Sequence, residues 1–396
     1  MIFTTPNKKI SSIMGSGPDE IDTPGQGSDR VLLIAVIVLM VFGTLAVFSA
    51  IAYFAESNNT TAFHLIIRHI IKLAIAFIIL LVASKFDYHK VGKLSRIAVI
   101  VSWILLVLVM LIGTQVFGAQ RSLNIGGFSF QPSSIAGAAL MLHVAVLLAQ
   151  KQEYIKDFKK TFLPIMVYII ITCALIGIEN FSGAALLMAM CLLLMFIGRV
   201  SLIQIGALVL IGILGGSLLL LSSAERRSRI ERYMEQVTDI KAEEYNLNSG
   251  YQAQQSYIAI ARGDIFGAGI GKSTQRDFLP APYNDFIFAI IAEEYGLVGS
   301  IFIMFIFTLI LFRGIARIAK NSPEALGALL ASACTMYVVM FGFINAMVAS
   351  GLLPVTGLPM PFVSYGGSSI LVSGLMIGIL LNISKHNAEK RAVFYA

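Results

Sequence analysis

The sequence predicts an all-α, polytopic membrane protein of about ten transmembrane helices, with a large extracytoplasmic loop between spans seven and eight. Three observations carry that fold class. Apolar residues make up 57% of the chain and charged ones 13%, far from the roughly 25% charge of soluble domains. Apolar runs of roughly 18 residues or more recur along its length, enough for a helix to cross a bilayer core. The runs are continuous rather than alternating, which excludes a β-barrel.

In order, the spans fall near Val31–Tyr53, Ile66–Ser84, Ile97–Phe117, Ser133–Gln150 and Thr161–Ile178. The rest fall near Phe181–Gly198, Leu202–Ser222, Phe286–Phe312, Ala325–Ser350 and Gly367–Asn382. Only Glu179-Asn180 separates the fifth from the sixth, so that pair forms a tight hairpin. The eighth is too long for one crossing and is expected to begin as a short interfacial or re-entrant helix. Residues 1–30 are polar, rich in Gly, Pro, Ser and Asp, and lack the order of a cleavable signal. They read as a disordered cytoplasmic tail ahead of an uncleaved signal anchor. Residues 31–383 form the membrane domain, with its loop at 223–284, and 384–396 a second cytoplasmic tail.

Lys and Arg gather in short inter-span segments, after spans two, four, eight and ten. With ten crossings these all lie on one side, so the positive-inside rule puts both termini in the cytoplasm. The same reading accounts for the net charge of +7 without nucleic acid. Residues 223–284 then lie outside, and Ala224–Glu244, with charges at helical spacing, is expected to form a surface helix. Cys173, Cys191 and Cys334 lie in apolar segments and read as small core residues; His143 reads as a helix–helix hydrogen-bonding residue.

The chemistry concentrates at 276–296. A run of loop residues ends at one carboxylate, Asp285, where an apolar helix begins. Two readings stay open: a helix N-cap, or a general base at the membrane surface. Glu293 and Glu294 follow inside the apolar stretch and, if they are buried, one of them is expected to pair with a base or to hold a proton unusually tightly. Gly267-Ala268-Gly269-Ile270-Gly271-Lys272-Ser273 resembles a phosphate loop but is one residue short in spacing, and no strand precedes it. Its glycines read as tight turns that leave Lys272 and Arg276 free to attract an anion. Two further clusters share the outer side. Arg121 precedes Gln131-Pro132-Ser133-Ser134, where Pro132 suits a helix start, and Leu353–Ser369 is a broken stretch rich in Pro and Gly. Broken backbone at membrane depth survives where it is buried in protein or lines a watery cavity.

These residues resemble the SEDS family (shape, elongation, division and sporulation), which includes FtsW and RodA. The motifs are Gly118-Ala119-Gln120-Arg121 with Gln131-Pro132-Ser133, and Gly250–Ile260. They continue with Phe278-Leu279-Pro280 through Asp285-Phe286-Ile287-Phe288 to Glu293-Glu294-Tyr295-Gly296, and Gly357-Leu358-Pro359 to Ser368-Ser369. Ser273-Thr274-Gln275-Arg276 and Ala281-Pro282-Tyr283 look closer to the FtsW branch.

The resemblance implies a peptidoglycan glycosyltransferase that polymerises lipid II at the outer face of the bacterial cytoplasmic membrane. It serves division or cell shape, with a class B penicillin-binding protein as transpeptidase partner among other divisome or elongasome membrane proteins. The family's catalytic Asp falls on Asp285, with Asn284 in place of the usual Thr. Asp285 would deprotonate the acceptor's 4-hydroxyl. Arg121, Lys272 and Arg276 would offset the leaving diphosphate. Gln131, Ser133, Gln252, Gln255, Ser256, Glu293, Ser364, Tyr365, Gly366, Gly367 and Ser368 complete the expected substrate-binding set. A divalent cation, Mg or Mn, is compatible with such chemistry, although no compact carboxylate cage is visible.

The chain departs from the family pattern at several positions. Ser134 and Gly137 stand where Glu and Lys are usual, Gln120 and Ser122 replace Arg and Trp, and Asp264 replaces Gly. Glu179-Asn180-Phe181-Ser182-Gly183 replaces Gln-Pro-Asp-Phe-Gly. Two other functions remain compatible with a ten-span chain: a flippase for the same lipid, which would want repeat symmetry and midplane sites, and a weakly active scaffold for a transpeptidase.

Overall fold

In the computed structural model, the described residues are 28–57, 61–116, 119–125, 128–224, 227–228, 230–231, 233–234, 251–279 and 281–395. The tail at 1–27 and loop residues 235–250 therefore lie outside the described residues. Of the surface helix expected over 224–244, the described residues as far as 234 are helical.

The membrane domain opens with α1 (Arg30–Ser57), α2 (Ala62–Ala83) and α3 (Tyr88–Ile112). Asp87 caps α3 by accepting from the His89 amide at 2.9 Å, which starts the helix at Tyr88 rather than Ile97. A three-stranded antiparallel sheet follows, the one departure from an all-helical chain among the described residues. Its strands are β1 (Thr114–Val116), β2 (Ala119–Ile125) and β3 (Phe128–Phe130), paired β1–β2–β3 with Val116 opposite Ala119 and Ile125 opposite Phe128. Then come α4 (Pro132–Gln150), α5 (Leu163–Glu179), α6 (Phe181–Ile197) and α7 (Leu202–Leu221). Pro132 occupies the first turn of α4, and Asn180 makes the α5–α6 hairpin by capping α6 at Gly183 N, 3.0 Å.

The second half contains α8 (Tyr251–Gly263), α9 (Ile287–Phe312), α10 (Ala325–Ala349) and α11 (Ser368–Tyr395). Nine helices among the described residues are long and apolar enough to cross a membrane, and the shorter α6 makes ten apolar helices. The last span does not stop at Asn382; α11 runs on to Tyr395.

Burial separates centre from rim. The span windows of α4, α10 and α11 are each 72% buried within the protein, against 6% for α7, so the first three form the hub and α7 is left for lipid. Close helix contact is made through glycine. A Cβ on Gly374 of α11 would lie 2.5 Å from the Ala76 carbonyl of α2, and one on Gly378 would lie 2.6 Å from that of Leu80.

α9 is two helices joined at Gly296, whose φ of 66° and ψ of −160° are not helical. Residues 287–294, ahead of the break, are all buried. The loop after α8 docks on that break: Ala268 N donates to Glu293 O (2.8 Å), Gly269 N to Glu294 O (3.1 Å), and Leu297 N to Asp264 O (2.9 Å). The carbonyls left by the broken helix are thereby satisfied, as apolar surroundings require. A side chain at Gly296 would meet Ile265 O at 2.5 Å, which leaves glycine alone able to fill the position.

Candidate active site

Asp285 sits in the turn 281–286, just before α9. Ala281 O accepts from Asn284 N (3.1 Å) and Asp285 N (3.3 Å). The cap position of α9 falls on Phe286, which offers no side-chain acceptor, and Asp285 precedes it by one residue.

The turn is held from outside by the broken segment ahead of α11. Asn345 of α10 donates through Nδ2 to Asp285 O (2.9 Å) and to Leu358 O (2.8 Å), joining the two segments through one buried amide. Ser364 Oγ donates to Asn284 O (2.7 Å) and accepts from Met360 N (2.8 Å), while Tyr365 N donates to Tyr283 O (2.8 Å). Gly357, at φ 67°, brings its backbone close: a Cβ there would lie 3.4 Å from Asp285 Oδ2. Phe362 is fully buried at φ 62°, a left-handed conformation that a bulky residue keeps only where packing enforces it. Part of that packing is α1, where a Cβ on Gly43 would lie 2.6 Å from Val363 Cα.

A cavity opens beside this turn. Gln131, Ser133, Ser134, Gly137, Asn180 and Gly183 form one wall; Tyr337, Phe341, Gly357, Leu358, Pro359, Ser369 and Ser373 form the other. Gly357 thus belongs both to the cavity wall and to the surroundings of Asp285. The positions where the family carries Glu and Lys both meet Tyr337: its hydroxyl donates to Ser134 O (2.8 Å), and its ring lies 3.4 Å from a Cβ placed on Gly137.

Several expected substrate-binding residues do other work. Glu293 is fully buried and accepts from Ser273 Oγ (2.5 Å), Thr274 N (3.0 Å), Thr274 Oγ1 (3.1 Å) and Gln275 N (3.2 Å). It fastens the 273–275 loop and, like Asp285 itself, is not among the residues lining the cavity. Glu294 accepts from Ser49 Oγ and from Ser273 N (3.3 Å). Among the described residues, hydroxyls and amides answer Glu293 and the Oε1 of Glu294, where a basic partner for one of the two was an expectation.

Arg276 is likewise committed, donating through Nη1 to Ser49 O (3.2 Å), Ser49 Oγ (3.2 Å) and Gly271 O (3.1 Å). It ties the loop to α1 instead of standing free for an anion. Lys272 is exposed, on turns where Gly267, Gly269 and Gly271 all have positive φ, as the glycine reading expected. Ser256 Oγ is buried and donates to Ala349 O (2.7 Å), while Gln252 and Gln255 lie on the same helix, α8, outside the cavity lining. Ser368 Oγ accepts from Gln131 N (3.1 Å), pinning the start of α11 to the start of α4; Gly366 and Gly367 precede it in the bend. Arg121 lies on β2, and its side chain falls outside the described residues.

The sequence reading missed a polar face on α2. Lys72 Nζ lies 4.0 Å above the ring of Tyr365, and His69, fully buried, stacks on the same ring at 5.5 Å. Tyr365 in turn meets Tyr283 edge-on at 5.7 Å. Burial, with Asp285 and Tyr365 adding to it, pushes the Tyr283 hydroxyl up to about 12. Burial also raises Tyr365 against the opposing pull of Arg68. Three ionisable residues inside one apolar span were the available signal, hidden by averaging hydropathy over the whole run.

Comparison with known proteins agrees with this architecture. Residues 29–389 match the family model FTSW_RODA_SPOVE, described as a cell cycle protein. The chain is 32% identical over 367 residues to stage V sporulation protein E of Bacillus subtilis (strain 168), covering 91% of this chain and 97% of that one. It is 35% identical over 364 residues to a probable peptidoglycan glycosyltransferase FtsW of Coxiella burnetii, covering 90% and 96%. Its fold superposes with a TM-score of 0.71, at 21% identity, on a chain from a study of polymerization and crosslinking by a peptidoglycan synthase complex, covering 91% and 98%. The crystal structure of the rod shape determining protein RodA of Thermus thermophilus gives a TM-score of 0.65 at 21% identity, covering 91% and 97%. The chain belongs to the FtsW/RodA/SpoVE family of integral membrane cell cycle proteins.

Proposed function

We propose that this protein is a peptidoglycan glycosyltransferase that polymerises lipid II, with Asp285 as the general base. The observation that carries the proposal is the double position of Gly357, in the cavity wall and 3.4 Å from Asp285 Oδ2 when given a Cβ. A carboxylate beside a walled, partly polar cavity can take the proton of an acceptor hydroxyl. The acceptor's 4-hydroxyl oxygen attacks the anomeric carbon of the donor and its proton passes to Asp285. The bond to the lipid diphosphate breaks with inversion. Lys72, over the ring of Tyr365, supplies positive charge for that leaving group, a role first expected of Arg121, Lys272 and Arg276.

Mg or Mn would be held here by Asp285 and the donor's own phosphates, since Mg binds through one or two carboxylates plus substrate phosphates. No group of three potential ligands gathers around Asp285 among the described residues, and no step above depends on the ion. In this reading the site faces the outside of the cytoplasmic membrane, both termini face the cytoplasm, and a class B penicillin-binding protein crosslinks the product.

The test is polymerisation of labelled lipid II by purified protein with its transpeptidase, wild type against Asp285→Asn. Loss of the base should slow the reaction by about 10²–10⁴-fold. Normal strands from Asp285→Asn would refute the base. Wild-type protein that makes none beside an active relative would favour a scaffold, and lipid translocation without strands a flippase.

A further inference from the structure

At the end of the bundle opposite Asp285, four elements bring their polar ends together. The segment before α3 supplies Asp87, α3 itself His89, the residue before α10 Glu324, and the extension of α11 His386 and Lys390. One donor atom from each of His89, Glu324 and His386 lies within 4.8 Å of the others, the only such group among the described residues.

The outer partners are arranged as a metal site needs them. His89 Nδ1 lies 2.6 Å from Asp87 Oδ1, which leaves Nε2 pointing at Glu324 Oε2, 2.7 Å away. A ligating imidazole almost always holds its far nitrogen on a carboxylate or carbonyl in this way. Glu324 shows the complementary pattern: Oε1 is occupied by Lys390 Nζ, while Oε2 faces His89 and accepts from Tyr88 OH at 3.0 Å. His386 is not committed elsewhere. Glu389 Oε2 stands 3.9 Å from Nδ1, beyond hydrogen-bond reach, and the ring meets those of His89 and Tyr88, each at 5.5 Å between centroids.

We propose that His89, Glu324 and His386 bind one divalent transition-metal ion of the zinc class. Two imidazoles and one carboxylate are a donor set such ions favour, with a water completing four-coordination. Donors around a tetrahedral ion with bonds of about 2.0–2.1 Å lie about 3.3 Å apart. The His89–Glu324 gap therefore widens slightly from 2.7 Å, and His386 closes in from at most 4.8 Å, both by side-chain rotation. Binding releases the proton shared by His89 Nε2 and Glu324. The ion staples the far ends of α3, α10 and α11; Tyr337 and Phe341, midway along α10, and Ser369 and Ser373, at the opposite end of α11, line the cavity.

The experiment uses full-length protein without a polyhistidine tag, chelator-stripped in detergent and titrated with Co²⁺, then with Zn²⁺. One equivalent of Co²⁺ with four-coordinate visible bands, displaced by Zn²⁺, is expected. His89→Ala and His386→Ala should remove the bands, and His386→Cys should restore binding with a thiolate charge-transfer band. Asp87→Asn, which keeps all three ligands, should weaken binding by about 10–100-fold. His64→Ala, a histidine outside the cluster, should bind as wild type. No saturable Co²⁺ binding, or binding that survives both His89→Ala and His386→Ala in monodisperse protein, overturns the proposal.

Discussion

Replacing Glu293 by Ala should undock the 264–279 loop without unfolding the bundle. The carboxylate answers four donors, two of them on Thr274, which is exposed and regains water once the partner is gone. The other two belong to Ser273 and Gln275, 2% and 6% exposed, and these are left buried and unanswered. At about 1–3 kcal/mol for each orphaned buried donor, the docked loop loses roughly 2–6 kcal/mol. A local opening of that size raises the open population by at least about 30-fold, since 1.4 kcal/mol is a factor of ten. Trypsin reads this directly, because Arg262, Lys272 and Arg276 all lie in or beside the segment and Arg276 is shielded by its bonds to Ser49 and Gly271. Cleavage after Arg276 should accelerate by that factor in Glu293→Ala and by less in Glu293→Gln, which keeps one acceptor. A thiol-reactive dye on the three buried cysteines, Cys173, Cys191 and Cys334, should report nearly unchanged global melting. If Glu293→Ala is cut within threefold of wild type, or if the dye melts first, the latch assignment fails.

Gly357→Val should depress lipid II polymerisation while leaving yield and monodispersity unchanged, because it adds bulk beside Asp285 Oδ2 and about 1–2 kcal/mol of left-handed backbone cost; unchanged turnover would refute the crowding. Gly374→Val should destabilise the α2–α11 contact by about 1–3 kcal/mol through overpacking, seen as a lower melting temperature in the dye assay. The Lys390 ammonium, with His89 and Tyr88 assisting against burial, holds Glu324 down at about 2 from an ordinary 4.5. A depressed carboxyl contributes stability above its unfolded value and loses it as pH falls through the folded one. Wild-type melting temperature should therefore drop more steeply between pH 4.5 and 2 than that of Glu324→Gln, and parallel curves would show that the clasp contributes nothing.

The spans were legible because each is a long apolar run, and their ends err where the first or last turns are polar. α3 begins at Tyr88 because Lys90, Lys93 and Arg96 belong to the helix, and α11 extends through equally polar turns to Tyr395. The β-strands at 114–130 were not legible, since three residues per outer strand are too few to set a period. At the site, Asp285 stood out by position alone. The duties of Glu293, Ser256, Ser364 and Arg276 did not, because their partners lie at 273–275, 349, 284 and 49. Charge in an apolar setting announces that something must answer it; which atoms do so is decided by tertiary contact.

The docking of the glycine loop on the break at Gly296 also bears on how the chain is made. Ala268 and Gly269 precede Glu293 and Glu294 in synthesis, so the amides that donate to those carbonyls already exist when the half-helix emerges. A half-helix arriving first would carry unanswered carbonyls into an apolar medium at a cost of several kcal/mol for each. Chain order thus works as an assembly instruction: the donors are laid down before the segment that needs them. Moving 264–274 to the far side of α9 by circular permutation would keep every native contact and still remove that instruction.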